Sequence, residues 1–281
     1  MGSSVTSFAL RTKITGVCPA AQPYALARLL QEQAAPVWLV VIEEPQQADG
    51  LGEDVALFHE SLGGKSGLEI LHFPESQADH RDMREAFNAS SDRLAVLSRL
   101  RSARASTSSQ PSTPNSQLII LTTPGALLQP VPPLEDFANR EFVLRRGQSQ
   151  SFQALLDQLR AYDYDSEAVC EAPGQYAVRG GIVDVYPITA RQPYRLDFFG
   201  DTLEDIRALD PVTQRSADSV DQITLTAAPQ LHATPSRASL LDHLPAQSHG
   251  ALVEPKALEE AFGLLSSESI GRARPPAEPT N

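Results

Sequence analysis

The sequence predicts an α/β protein with a parallel sheet, carrying an inserted α+β module with an antiparallel sheet. Three observations lead there. The first half holds apolar runs without alternation, VWLVVI at 37–42, GLEILHF at 67–73 and QLIILTT at 117–123. Helical patterns lie between them, and strands alternating with helices imply βαβ units whose sheet is covered on both faces. Beyond residue 150 the runs become short and alternating, with glycines at the breaks, the pattern of an antiparallel sheet with one wet face.

Taken in order, AAQPYALARLLQEQ at 20–33 sets Tyr24, Leu26, Ala27 and Leu30 on one helical stripe. Residues 80–100 form a long amphipathic helix with Leu94, Leu97 and Leu100 repeating at three. SARASTSSQPSTPNS at 102–116 is small, polar and Pro-containing and reads as a surface loop. PVPPL at 130–134 marks a domain boundary. Ser149 or Ser151 caps a helix that carries Phe152, Leu155, Leu156 and Leu159. Strands follow at 175–179, 182–186, 193–199 and 202–209, with Gly180-Gly181 a bulge or bend and Gly200-Asp201 a hairpin turn. VDQITLTAAP at 220–229 is a further strand, and LLDHLPAQ and PKALEEAFGLL are helices that return to the first domain. The expected division is 1–130, then 131–215 as the α+β module, 216–270 as the return, and 271–281 as a frayed tail.

Composition narrows the function. The net charge of −12 opposes phosphate backbones, so direct DNA binding is expected to be weak or absent. Arg99, Arg101 and Arg104 are the densest basic cluster and read as a solvated helix face. Cys18 and Cys170 are too few for a disulfide framework and lack metal-ligand spacing; Cys18 is expected to be a small buried residue. A reducing cytoplasm fits, and no apolar run is long enough for a membrane span. Gly64-Lys65-Ser66 lacks the first glycine of a P-loop, where His59 stands, and precedes a strand instead of following one. Thr15-Gly16, ahead of the first helix, has neither the lysine nor the second glycine that phosphate binding needs. The histidines are scattered, and GxSxG, SxxK and HExxH are absent. No cofactor, metal site or catalytic residue is expected; the chain reads as a binding protein.

The candidate binding face comes from YRLDFF at 194–199. Side chains alternate across a strand, so Tyr194, Leu196 and Phe198 point one way and Arg195, Asp197 and Phe199 the other. A phenyl ring beside a guanidinium on a wet strand face is the composition of a partner-binding patch.

The run APGQYAVRGGIVDVYPITARQPYRLDFFGDTLEDIRALDPVTQRS at 172–216 resembles the UvrA-binding domain of the UvrB and Mfd families. DRLAVLSRLR, LIILTTPGALLQPVPP and LRRGQ sit upstream in the same order, and ITLTAAPQ continues the likeness downstream. The resemblance implies a UvrB-like, degenerate helicase-type first domain and a UvrA-interaction module. Of the two families it leans to Mfd, the transcription-repair coupling factors, because a working Walker motif and a Tyr-rich DNA-gripping hairpin are both missing. It implies UvrA as partner, contacted by Arg179, Arg195 and Phe199, with Asp197 on the same face and Arg207 peripheral. Contact with RNA polymerase is expected only where further domains exist downstream. The functional expectation is a non-catalytic adaptor in nucleotide excision and transcription-coupled repair. The alternatives are a truncated UvrB-like ATPase or helicase-related protein acting on DNA, and a folded remnant without a partner.

Overall fold

The structure is a computed structural model that describes residues 12–33, 35–64, 67–76, 83–108, 117–228 and 238–272. The described chain divides into two units, the first drawn from residues within 1–76, 102–130 and 239–281, the second from 77–101 and 131–238. In chain order the elements are α1 (Gln22–Glu32), β1 (Val37–Val41), α2 (Gln47–Ser61), β2 (Glu69–Phe73), α3 (Met83–Ser108), β3 (Leu118–Thr122), α4 (Pro124–Leu128) and α5 (Leu134–Ala138). There follow β4 (Glu141–Arg145), α6 (Phe152–Ala161), β5 (Asp165–Ser166), β6 (Gln175–Arg179), β7 (Ile182–Val185), β8 (Tyr194–Phe199) and β9 (Thr202–Leu209). The last are β10 (Ser216–Ser219), β11 (Gln222–Thr226), α7 (Leu240–His243), β12 (His249–Leu252) and α8 (Pro255–Arg272).

The first unit holds a four-stranded sheet in the order β12-β1-β3-β2. All its pairings are parallel, with Trp38 opposite both Ile119 and His249, and Ile70 opposite Ile119. Every residue of β1 and β3 is buried, which is why those runs are apolar without alternation. Leu26 and Leu30 of α1 and Val55 of α2 join Trp38, Val40, Ile119 and Leu121 in one core. Tyr24 departs from the stripe expected of α1: it is exposed, its ring edge-on to Phe58 of α2, while Pro23 takes the buried place. β12 was not expected at all. HGAL is short and not especially apolar, and it becomes a strand because β1 offers it a parallel edge.

The second unit holds a six-stranded sheet, β10-β9-β8-β7-β6-β5, and a separate antiparallel pair, β11-β4. The β6–β7, β7–β8 and β8–β9 pairings are antiparallel. Val183, Leu196, Leu203 and Ile206 are fully buried on one face. α6 starts at Ser151, whose hydroxyl accepts from the Ala154 amide, and its Phe152 meets Phe198 edge to face at 5.3 Å. Leu155, Leu156 and Leu159 are buried on the same helix. β10 and β11 lie beyond residue 215, where the sequence reading closes the module; they belong to the second unit because they hydrogen-bond to β9 and β4.

Three further local expectations are corrected. α3 does not end at 100 but runs on through 102–108, since serine and alanine are tolerated in a helix and the first proline comes only at 111; residues 109–116 lie outside the described residues. Arg101 and Arg104 are not simply solvated: Arg101 pairs with the buried Glu141 carboxylate, and Arg104 donates to the carbonyl of Asp242 at 2.8 Å. Gly180-Gly181 is neither a bulge nor a bend inside a strand but the turn that joins β6 to β7, with Gly180 at φ +62° and Arg179 paired with Ile182. The irregularity falls instead between Asp197 and Phe198, which pair with Asp205 and Leu203, leaving Glu204 as the extra residue of a β-bulge.

Candidate functional site

The wet face of the six-stranded sheet is built from three central strands. One cross-strand row reads Asp184, Arg195, Arg207; the next reads Ile182, Asp197, Asp205. Arg179 stands opposite Ile182, and Phe199 opposite Thr202 at the end of the β8–β9 hairpin. All five residues singled out from sequence therefore lie on strands of one sheet, with odd-numbered positions of β8 on one side. The bulge at Glu204 preserves this. Without it, Leu203 would face water and Glu204 the core.

Phe199 is 77 % exposed. Its neighbour in sequence, Gly200, takes φ +59° in the two-residue turn to Thr202, so the ring is held on a short, paired hairpin. Arg195 is engaged: its Nε donates to one oxygen of Asp184 at 2.7 Å and a terminal nitrogen to the other at 2.8 Å. Only 18 % of the Arg195 side chain and 2 % of that of Asp184 remain exposed. The hydrogen bonds to Asp184 raise the pKa of the guanidinium above its already high ordinary value, so it stays charged. Asp197 receives Arg207, which also lies 3.5 Å from Asp205. Asp205 in turn meets Arg146, and Arg146 donates to Asp221 at 2.8 Å. Arg179 is exposed and donates to the carbonyl of Ala168 at 3.1 Å. Near the buried end of the row, Cys170 has its thiol pKa pushed up to about 12, first by burial and then by the Asp184 charge.

Asp184 was missed by sequence reasoning. The signal was present: a carboxylate inside the apolar run IVDV must find a cation or a donor when buried, and Arg195 was the cation one strand away.

The segment ahead of α1 looks different. Pro19 and Pro23 have no amide hydrogen, and the amides of Ala21 and Gln22 are used by the carbonyls of Cys18 and Pro19. The Glu254 carboxylate accepts from the Gln22 side chain at 2.7 Å. An open groove of about 400 Å³ beside it is lined by Ile14, Val17, Cys18, Tyr24 and Leu29. Cys18 is exposed there, not buried as expected, because the 3-10 turn Pro19–Ala21 begins only after it and leaves it outside the core. Among the described residues no group of three His, Cys, Asp or Glu side chains could hold a metal ion. Nor is any described helix long and apolar enough to cross a membrane.

Residues 142–231 match the family of the UvrB interaction domain. The chain carries a UvrB interaction domain. That domain takes in the six-stranded sheet, α6 and all but the first residue of the β4–β11 pair, and with them the whole of the face built above. Among curated proteins the chain is similar to the transcription-repair-coupling factor of Myxococcus xanthus, 31 % identical over 222 residues, which is 78 % of this chain and 17 % of that protein. The factor of Escherichia coli K12 is 29 % identical over 205 residues, 72 % of this chain and 16 % of that protein. That of Staphylococcus aureus USA300 is 27 % identical over 217 residues, with 77 % and 17 % covered. The chain thus spans about a sixth of the length of the curated relatives it matches.

Proposed function

We propose that this chain is a non-catalytic docking module that binds UvrA through the wet face of its UvrB interaction domain, in the service of transcription-coupled repair. The observation that carries the reading is Phe199: a ring 77 % exposed on a paired hairpin, at the end of the strand that carries Arg195 and Asp197 on the same face. An exposed aromatic anchor on a face that also carries arginines fits a partner that offers an apolar pocket rimmed by carboxylates. The carrying experiment is a titration of purified UvrA with the chain and with Phe199→Ala. The variant should bind about 10- to 100-fold more weakly, a hot-spot loss of about 1–3 kcal/mol, with its thermal transition unchanged. A variant that binds UvrA like the parent sinks the reading.

The non-catalytic part rests on the loop before α1. Phosphate binding there needs free amides or a cation, whereas two prolines, two internally used amides and a carboxylate occupy the place. A labelled ATP analogue should show no tight binding; micromolar affinity lost on mutating Thr15 or Gly16 reverses this. DNA binding is proposed to be weak at physiological salt, given the net charge of −12, and sub-micromolar duplex affinity with a steep salt slope overturns that.

A further inference from the structure

We propose that Asp184 is a positioning residue for UvrA recognition: it does not touch the partner but fixes the Arg195 guanidinium in the plane from which Arg195 makes its contact. The proposal rests on the docking reading above and deepens it. Four observations support it. Asp184 is almost fully buried, so it is out of a partner's reach. It grips Arg195 through both carboxylate oxygens, at 2.7 and 2.8 Å, and a fork of two parallel bonds defines the orientation of the guanidinium plane as well as its place. The two residues are direct cross-strand partners on β7 and β8. The remaining nitrogen, Nη1, is turned along the face toward β10, where it donates to the Ser216 hydroxyl at 3.4 Å. Long side chains lose much rotamer freedom on binding; one already locked by a buried carboxylate has that loss behind it.

The test is a binding cycle against purified UvrA, read well below each variant's thermal transition. Asp184→Asn alone should weaken binding at least 10-fold. In an Arg195→Ala background the same substitution should cost nothing further, because Asp184 acts only through Arg195. Phe199→Ala runs alongside. If Phe199→Ala loses binding and Asp184→Asn does not, the docking reading stands and this inference falls. Full additivity of the two changes also overturns it, since a purely structural aspartate has no reason to act through Arg195. A parent chain that fails to bind UvrA refutes both. Phenylglyoxal labelling, read by mass spectrometry, reports on the geometry without UvrA: Arg195 should be protected in the parent and modified faster in Asp184→Asn, and equal rates overturn the inference. Should Asp184→Asn lack a cooperative transition, Asp184→Glu replaces it. That variant keeps the charge but pushes the fork outward by one methylene, and parental affinity in it counts against the proposal.

Discussion

Arg195→Ala is expected to weaken the fold, although its side chain faces the wet side of the sheet. The substitution removes two charge-assisted hydrogen bonds from a carboxylate whose side chain is 2 % exposed. Breaking a buried pair by deleting one partner costs about 3–5 kcal/mol. One feature pulls the figure down: the Arg195 side chain is 18 % exposed, so water can enter the vacated space. The expected loss at pH 7 is therefore about 2–4 kcal/mol. Urea unfolding followed by far-ultraviolet circular dichroism measures it. A loss below about 0.5 kcal/mol, the level of an ordinary surface substitution, refutes the argument that Asp184 depends on Arg195.

Three further outcomes are expected. Gly181→Ala places a Cβ 2.9 Å from the Phe198 carbonyl oxygen, forcing β8 to shift; a loss of about 1–3 kcal/mol in the same unfolding assay is expected. Ser151→Ala removes the hydroxyl that caps α6 and should cost about 1 kcal/mol. Native-state titration with a thiol reagent should modify Cys18, which is exposed, and spare Cys170 until the chain unfolds. Because the folded Cys170 pKa is raised from 9.0 to about 12, its contribution to stability is full below pH 9 and is lost as pH rises through that window.

Legibility in the sequence varied with how local the deciding force was. β1 and β3 could be read because full burial on both faces leaves an apolar run with no alternation, and the α6 cap because one serine hydroxyl decides it. The order of the wet face on β8 followed from alternation alone. β12 could not be read: HGAL has little intrinsic preference, and its state is decided by the free edge of β1. β9 hid its bulge for a related reason. Leu203, Ile206 and Leu209 are all buried at a spacing of three, which is not a strand period, and only the partner strand shows where the extra residue goes. At the site, Phe199 was visible as an unprotected ring. The grip of Asp184 on Arg195 was not, because register between strands lies beyond what one strand's pattern contains.

The ion pairs of the wet face also bear on how fast a partner can arrive. From Asp184 through Arg195, Asp197, Arg207, Asp205 and Arg146 to Asp221, sign alternates at every step. Opposite charges one strand apart, about 5 Å, cancel within a Debye length of about 8 Å at physiological salt. The face therefore casts little field of its own. A protein approaching it is not drawn in along that surface but finds it by collision, at the unsteered pace of about 10⁵–10⁶ M⁻¹s⁻¹. Discrimination between partners then falls to the lifetime of the complex, to whether a pocket on the partner closes over Phe199 and the fixed guanidinium groups find their acceptors before the two molecules part.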